Sequence, residues 1–170
     1  MRTKPSNYSF QAIRQYAEKI SDENRLVSLG APDLERFCRE QEVTVSIGRD
    51  AYDPLSSLVS SGNQFEIIVA PFSSPQRRRF TIAHELGHFF LHYDFDESPR
   101  EWRFTRGGSD LAETQANVFA SSLLMPEQTF TNAWVASAGN IEAVAHQFQT
   151  SISAVRVRAI VLGLLQKASA

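Results

Sequence analysis

The chain has 170 residues, of which 42% are apolar, 21% charged and 11% aromatic, a length typical of one globular domain. Seventeen basic and nineteen acidic side chains give a net charge of -2, which argues against a protein that binds nucleic acid mainly by neutralising phosphates. Cys38 is the single cysteine, so an intramolecular disulfide and structural zinc sites with several thiolates are excluded. Three of the four histidines, His84, His88 and His92, fall within nine residues.

The ends of the chain carry no export or membrane signal that we can identify. Residues 1–10 are polar and lack a basic flank followed by an apolar core, so we expect no signal peptide. The longest apolar run near the C-terminus, residues 159–165, is far too short to span a bilayer. Together with the unpaired cysteine, these features predict a soluble cytoplasmic protein.

The first part of the chain is predicted to contain two helices and two strands. An apolar stripe predicts a helix over residues 9–26, and the Pro32-Asp33 start signal predicts a second helix that ends near residue 41. Alternating apolar and polar residues predict strands over 42–47 and 64–70. Residues 49–63 are rich in Ser, Asp and Gly and are expected to form a loop with at most one short strand.

Helices are expected to dominate the rest of the chain. Ser73-Ser74-Pro75 begins a long helix to about residue 93, and the sequence then predicts a loop over 94–109 and four helices, over 110–125, 127–136, 141–148 and 153–167. These elements predict an α+β fold with a small sheet in the first half. We divide the chain into a core, residues 1–126, and a helical, helix-turn-helix-like part, residues 127–170, packed on that core.

His84-Glu85-Leu86-Gly87-His88 matches the H-E-x-x-H motif and lies inside the predicted long helix, as that motif requires. Histidines at this spacing lie on one helix face about one turn apart, so both imidazoles can reach a single Zn²⁺. Glu85 points roughly 100° further round the helix, which suits contact with a water on the metal better than ligation. The alternative is a helix with two half-buried structural histidines, which would need polar partners for His84, Glu85 and His88.

The third ligand must come from elsewhere in the chain. The acidic candidates are Asp94, Asp96, Glu97, Glu101, Asp110 and Glu113. We favour Glu113, because it begins a predicted helix with a stripe of mostly small residues that could pack closely on the histidine helix. Alternatively, Asp110 and Glu113 form a capping box. Two histidines, one glutamate and an open fourth position are typical of a catalytic zinc site, although Mn²⁺ or Fe²⁺ could bind the same ligands.

Two further residues of the motif helix have separate predictions. His92 continues the spacing but lies about 12 Å along the helix from His84, so it cannot share one ion and is expected to hydrogen-bond a ligand or the helix end. Gly87 costs about 1 kcal/mol of helix stability relative to alanine, so we expect a neighbouring element to approach closely there.

Several segments resemble the ImmA/IrrE metallopeptidases in the order in which that family has them: 79–88 (RFTIAHELGH), 113–120 (ETQANVFA), 123–126 (LLMP), and the tail over 144–151 and 154–158. The similarity covers roughly residues 30–165. It implies a zincin-like fold with a small mixed sheet packed on the active-site helix, His84, His88 and Glu113 as zinc ligands, and Glu85 as general base.

The resemblance also implies a partner. Family members cleave a helix-turn-helix repressor encoded nearby, and they serve mobile elements, phage-like modules, toxin–antitoxin loci or stress responses. The chain ends at Ala170, so we do not expect the extra C-terminal sensor domain of some members. The sequence therefore predicts an intracellular zinc-dependent endopeptidase that acts on a repressor or antitoxin.

Two other functions remain open. Residues 145–158 have helix-turn-helix spacing with Arg156 and Arg158 on the second helix, so the protein could be a DNA-binding regulator; the thin basic surface and the apolar residues of that helix argue against it. A metal-bearing protein that docks on a repressor without cleaving it is the third hypothesis.

Smaller details of a peptidase site also have two interpretations each. The strand over 64–70 either pairs with an extended substrate or lies inside the sheet. Residues 77–79, three arginines, either dock an acidic partner or form a solvated helix start. Tyr93, His92 and Arg103 are candidates for the second donor to an oxyanion.

Overall fold

The computed structural model describes residues 5–27, 34–48, 57–61, 64–93, 101–103 and 110–166. Within these ranges the chain forms seven helices and four strands: α1 (Phe10–Glu23), α2 (Leu34–Glu40), β1 (Val43–Ile47), β2 (Ser57–Ser61), β3 (Gln64–Val69), α3 (Pro75–His92), β4 (Glu101–Arg103), α4 (Asp110–Leu124), α5 (Glu127–Ala136), α6 (Ile141–Phe148) and α7 (Ile152–Val161). The prediction of an α+β fold is confirmed.

The four strands form one mixed sheet in the order β1-β3-β2-β4. β1 runs parallel to β3, whereas β2 is antiparallel to both β3 and β4. Alternate side chains of β3, those of Phe65, Ile67 and Val69, are buried, as is Leu58 of β2. One face of the sheet therefore packs on the helices, with the rings of Phe65 and Phe89 of α3 4.9 Å apart.

The centre of the molecule is the packed pair α3 and α4. A methyl group added at Gly87 would lie only 3.0 Å from the Cα of Ala116 and 3.1 Å from its carbonyl oxygen. Glycine is needed here because these two backbones touch, which confirms the predicted close approach. The stripe of α1 predicted from the sequence, Ile13, Ala17 and Ile20, is buried as well.

The C-terminal helices join the same hydrophobic core. Phe130 of α5, Phe148 of α6 and Val155 of α7 are buried in one cluster with residues of α1, α3 and α4. The proposed division at residue 126 stays a prediction. Among the described residues no helix is both long enough and apolar enough to cross a membrane.

Two predictions about elements need correction. Residues 101–103, placed in a loop over 94–109, form β4, a short strand bonded to β2; the other residues of that loop lie outside the description. By contrast, the one short strand allowed for within residues 49–63 is present as β2, over 57–61. The last helix ends at Val161 rather than near residue 167, because Gly163 adopts a left-handed conformation (φ 70°) that terminates it.

Candidate metal centre

Helix α3 carries both motif histidines. It starts after Ser74, whose hydroxyl accepts a hydrogen bond from the N–H of Arg77 (3.2 Å), and Pro75 takes the first helical turn, where its missing N–H is harmless. The helix continues through the motif, where His84 is 7% exposed and His88 is 1% exposed. Two imidazoles on one face of the helix are thus held inside the protein, with their Nε2 atoms 3.0 Å apart.

Helix α4 brings a carboxylate to the same point. Glu113 Oε2 lies 3.3 Å from His84 Nε2, and Glu113 Oε1 lies 3.5 Å from His88 Nε2. The contact between Gly87 and Ala116 makes this reach possible, because Ala116 follows Glu113 by one helical turn. One ligand atom from each of the three residues falls within 4.8 Å of the others.

The chemistry and spacing of these groups fit a divalent metal. Bonds to zinc of about 2.0–2.1 Å in a tetrahedron give ligand-to-ligand distances of about 3.3 Å. The three measured distances, 3.0, 3.3 and 3.5 Å, bracket that value. Imidazole nitrogen and carboxylate oxygen are both common zinc ligands, and one tetrahedral position would remain open. The group His84, His88 and Glu113 can therefore hold a metal ion.

Glu85 lies between these ligands in sequence and is only 2% exposed. Its position on α3 turns it away from the face that His84 and His88 share, as the helical spacing predicts. The side chain of Glu113 retains 25% exposure, so the site opens to solvent on the α4 side. A groove of about 460 Å³ is lined by Asn117 and by the apolar residues Phe80, Val118, Val157 and Val161, although none of the three candidate ligands lines it.

Each histidine ligand is held at its second ring nitrogen. His84 Nδ1 lies 3.0 Å from Asn117 Oδ1, and His88 Nδ1 lies 2.9 Å from His92 Nδ1. His92 in turn contacts the side-chain oxygen of Gln115 at 3.0 Å. The prediction that His92 hydrogen-bonds a ligand is thus what the structure shows. No sequence pattern pointed to Gln115 or Asn117 as partners of these histidines.

Burial keeps the inner histidines neutral. It lowers the pKa of His88 far below the ordinary value of 6.5, and nearby His84 and His92 lower it further. Burial also lowers the pKa of His92, although Gln115 and Glu113 partly oppose this. A neutral imidazole offers a lone pair, which is the form that binds a metal.

The sequence profile of Peptidase_M78, the IrrE N-terminal-like domain, matches residues 50–159. This range contains the H-E-x-x-H motif and Glu113 and is more than half of the chain. The chain belongs to this family. No curated protein matches the sequence.

A solved structure supports the fold of this M78 chain. The "Mycobacterium tuberculosis transcriptional regulator" superposes with a TM-score of 0.66 and 20% sequence identity, over 95% of this chain and 49% of that protein. The chain thus spans about half the length of that protein, and at this identity the similarity shows the fold alone.

The structure of the M78 chain does not describe the side chains of the remaining acidic candidates. Asp94, Asp96 and Glu97 lie outside the described residues, and Glu101 and Asp110 are described in their backbone only. Asp110 is the first helical residue of α4, and Glu113 turns to the histidines. The cluster therefore supports the ligand interpretation of Glu113 over the capping box.

Two of the alternatives for substrate binding are resolved by the sheet and by α3. β3 has β1 on one side and β2 on the other, so the interpretation that it adds a substrate strand is wrong. Arg78 pairs with Glu35 at 2.6 Å, and Arg79 donates to the carbonyl groups of Phe148 and Gln149 at 3.0 and 2.9 Å. Burial lowers the pKa of Arg79 to about 10. These two arginines thus bind within the chain.

The candidates for the second oxyanion donor have other contacts or are not described. His92 lies in the chain of contacts behind His88, and the ring of Tyr93 packs edge-on against Phe65 at 4.8 Å. The side chain of Arg103 is outside the description. The second donor stays an open prediction.

The helix-turn-helix-like pair, α6 and α7, has an interior arginine. Arg158 is 1% exposed and donates to Glu18 Oε1 at 2.7 Å, to the carbonyl oxygen of Met125 at 2.9 Å and to Ser122 Oγ at 3.2 Å. Its assignment to a DNA-contacting surface is wrong, because a buried guanidinium cannot reach phosphates. Val157 and Val161, two of the apolar residues of α7 that argued against DNA binding, are exposed rather than part of the core.

Proposed function

We propose that this chain is a zinc-dependent endopeptidase that acts in the cytoplasm on a protein partner. The observation that carries the proposal is the convergence of His84, His88 and Glu113, with a buried Glu85 adjacent to His84 in sequence. The family membership supports a peptidase, and the open groove beside Asn117 is large enough for side chains of a polypeptide.

The proposed chemistry assigns one task to each group. His84, His88 and Glu113 would hold zinc, which when bound polarises a carbonyl group and lowers the pKa of water towards 7. Glu85 acts as general base: its carboxylate takes a proton from the attacking water and then delivers that proton to the leaving nitrogen. Burial of Glu85 excludes bulk water from this transfer.

We further propose that the substrate is a helix-turn-helix repressor or antitoxin encoded nearby. This proposal rests on the resemblance of residues 79–88 and 113–126 to the ImmA/IrrE metallopeptidases. The exposed apolar residues Val157 and Val161 beside the groove are consistent with a protein partner rather than a small polar substrate.

The test is incubation of the purified chain with the repressor encoded next to it. Wild type with zinc should release defined fragments, and a chelator should stop the cleavage. Glu85→Gln should lower the rate at least about 100-fold, because it removes the general base, while zinc stays bound. Glu142→Gln, a change of the same kind on the exposed face of α6, should cleave as wild type does.

Two outcomes would contradict the proposal. Undiminished cleavage by Glu85→Gln would remove the assigned base. A stable complex with the repressor and no metal-dependent fragment, in wild type and variant alike, would instead indicate a docking protein without turnover.

A further inference from the structure

The amide of Gln115 has a fixed orientation inside the protein. This side chain is 2% exposed, and its Oε1 accepts the backbone N–H of Ser6 at 3.0 Å. Its Nε2 donates to the carbonyl oxygens of Ser6 and Tyr8 at 2.9 and 3.3 Å. Backbone groups are donors or acceptors by constitution, so these three bonds determine which end of the amide is the oxygen.

The amide orientation determines the ring hydrogens of the next two residues. Gln115 Oε1 also lies 3.0 Å from His92 Nε2; because this oxygen can only accept, His92 Nε2 carries the hydrogen. A neutral imidazole has one ring hydrogen, so His92 Nδ1 presents a lone pair. His88 Nδ1, 2.9 Å away, must then be the donor. Nε2 of His88 is left unprotonated, facing His84 and Glu113.

The two histidine arms differ in how they are anchored. The partner of His84 is Asn117, an exposed residue on the surface of α4. The partner of His88 belongs to a chain of contacts that ends on backbone more than a hundred residues away in sequence, at Ser6 and Tyr8. The second arm ties the metal centre to a distant segment of the fold.

We propose that Gln115 is a positioning residue of the metal centre, which acts through His92. It fixes the tautomer in which His88 directs an unprotonated Nε2 to the metal, and the segment before α1 is its anchor. The inference rests on the proposed metal centre but not on peptide cleavage. Partners behind a ligating histidine typically change metal affinity by about 10- to 100-fold.

The experiment compares Gln115→Met with a matched control. Methionine has a similar length but neither the amide acceptor nor the amide donor. Ser122→Ala also removes a buried hydrogen bond from α4, the one to Arg158, at a distance of two turns from the site. Zinc affinity by chelator competition should fall about 10- to 100-fold in Gln115→Met and stay within about 2-fold of wild type in Ser122→Ala.

A second measurement reads the tautomer directly in metal-free protein. Ring nitrogen–hydrogen correlation spectra should show His88 in the Nδ1–H form in wild type and in Ser122→Ala, and a mixture of both forms in Gln115→Met. His92→Phe should produce the same mixture. The double variant Gln115→Met/His92→Phe should bind zinc no more weakly than His92→Phe alone, because Gln115 acts through His92.

Three results would overturn the inference: wild-type His88 in the Nε2–H form, an unchanged tautomer in Gln115→Met, or losses of zinc affinity that add in the double variant. If Gln115→Met does not fold, the wild-type spectrum and the His92→Phe variant still test whether the contacts behind His88 determine its tautomer. If wild type binds no zinc, the proposed function fails, whereas the spectra still test whether Gln115 determines the tautomer of His88.

Discussion

Two polar clusters lie near opposite ends of α4, and they combine their charges in different ways. In the first, here called the arginine cluster, Arg158 donates to Glu18, Ser122 and the carbonyl of Met125. In the second, the metal centre, two imidazoles and the Glu113 carboxylate turn electron-pair donors toward one point. In the arginine cluster a cation faces matched acceptors, and in the metal centre acceptors face each other.

This difference gives a criterion for telling a cluster of polar side chains that stabilises the fold from one that binds a ligand. A buried charged group that is paired with an opposite charge and with hydrogen-bond partners needs no ligand to stabilise it. Three lone pairs within 4.8 Å of one another repel unless a cation lies among them. Burial alone would have assigned both clusters the same role; the pairing of donors with acceptors separates them.

Removal of Arg158 should give the largest change in stability. Arg158→Met leaves Glu18 without its cation and is expected to lower the free energy of unfolding by about 3 kcal/mol, measured by urea denaturation. Zinc affinity should not change. The double variant Glu18→Met/Arg158→Met should recover much of the loss, because the apolar pair leaves no unpaired charge. A loss of zinc binding in Arg158→Met would show that the arginine cluster and the metal centre are not independent.

Gly87→Ala should affect both stability and metal binding. The added methyl meets backbone atoms of Ala116 at 3.0–3.1 Å, so α4 must move away and carry Glu113 with it. Overpacking of about 1–3 kcal/mol outweighs the gain in helix propensity of about 1 kcal/mol. We expect a net loss of about 1 kcal/mol by urea denaturation and at least about 10-fold weaker zinc by chelator competition.

Gly48→Ala is the control for that change, because a methyl there would make ordinary contacts of 3.5–3.7 Å. It should leave zinc affinity unchanged. Equal zinc affinity in wild type and Gly87→Ala would show that the close approach of α3 and α4 does not position Glu113.

The pH dependence of the metal-free protein should be the smallest effect. Burial lowers the pKa values of His88 and His92 below 6.5, so the unfolded state takes up protons below about pH 6.5 that the folded state refuses. The contribution of these histidines to the free energy of unfolding is therefore fully present above that pH and is lost as the pH falls. We expect a decrease of about 1 kcal/mol between pH 7 and pH 6. Urea titrations at both pH values measure it.

Arg158→Met is the control for the pH experiment, since it should keep this slope even though its overall stability is lower. His92→Phe should lose part of the slope, because one of the two histidines with a lowered pKa is gone. A stability that is constant from pH 7 to pH 5 would show that these histidines are not held neutral by the fold.

Much of the metal centre could be predicted from the sequence because it depends on residue spacings within single helices. The spacing of His84 and His88 and the small residues after Glu113 lie within single helices, whose geometry is known in advance. Gln115 could not be predicted. Its partners lie 107 and 109 positions away, and no periodicity connects α4 with the segment at Ser6 and Tyr8.

The fold shows the same division between local and distant information. Helices with an apolar stripe or a capping residue, such as α1 and α3, were predicted to within a few residues. β4 has only three residues and exists through its pairing with β2, forty or more positions earlier, so its own composition gave no signal. The burial of Arg158 could not be predicted, because its partner Glu18 lies 140 positions away.

The most direct test of the central claim is the zinc content and affinity of the metal-stripped chain. We predict one zinc ion per chain, the same affinity in Glu85→Gln and in Ser122→Ala, and loss of tight binding in each of His84→Ala, His88→Ala and Glu113→Ala. A wild-type chain that binds no metal, or a His88→Ala variant that binds zinc as tightly as wild type, would contradict the account.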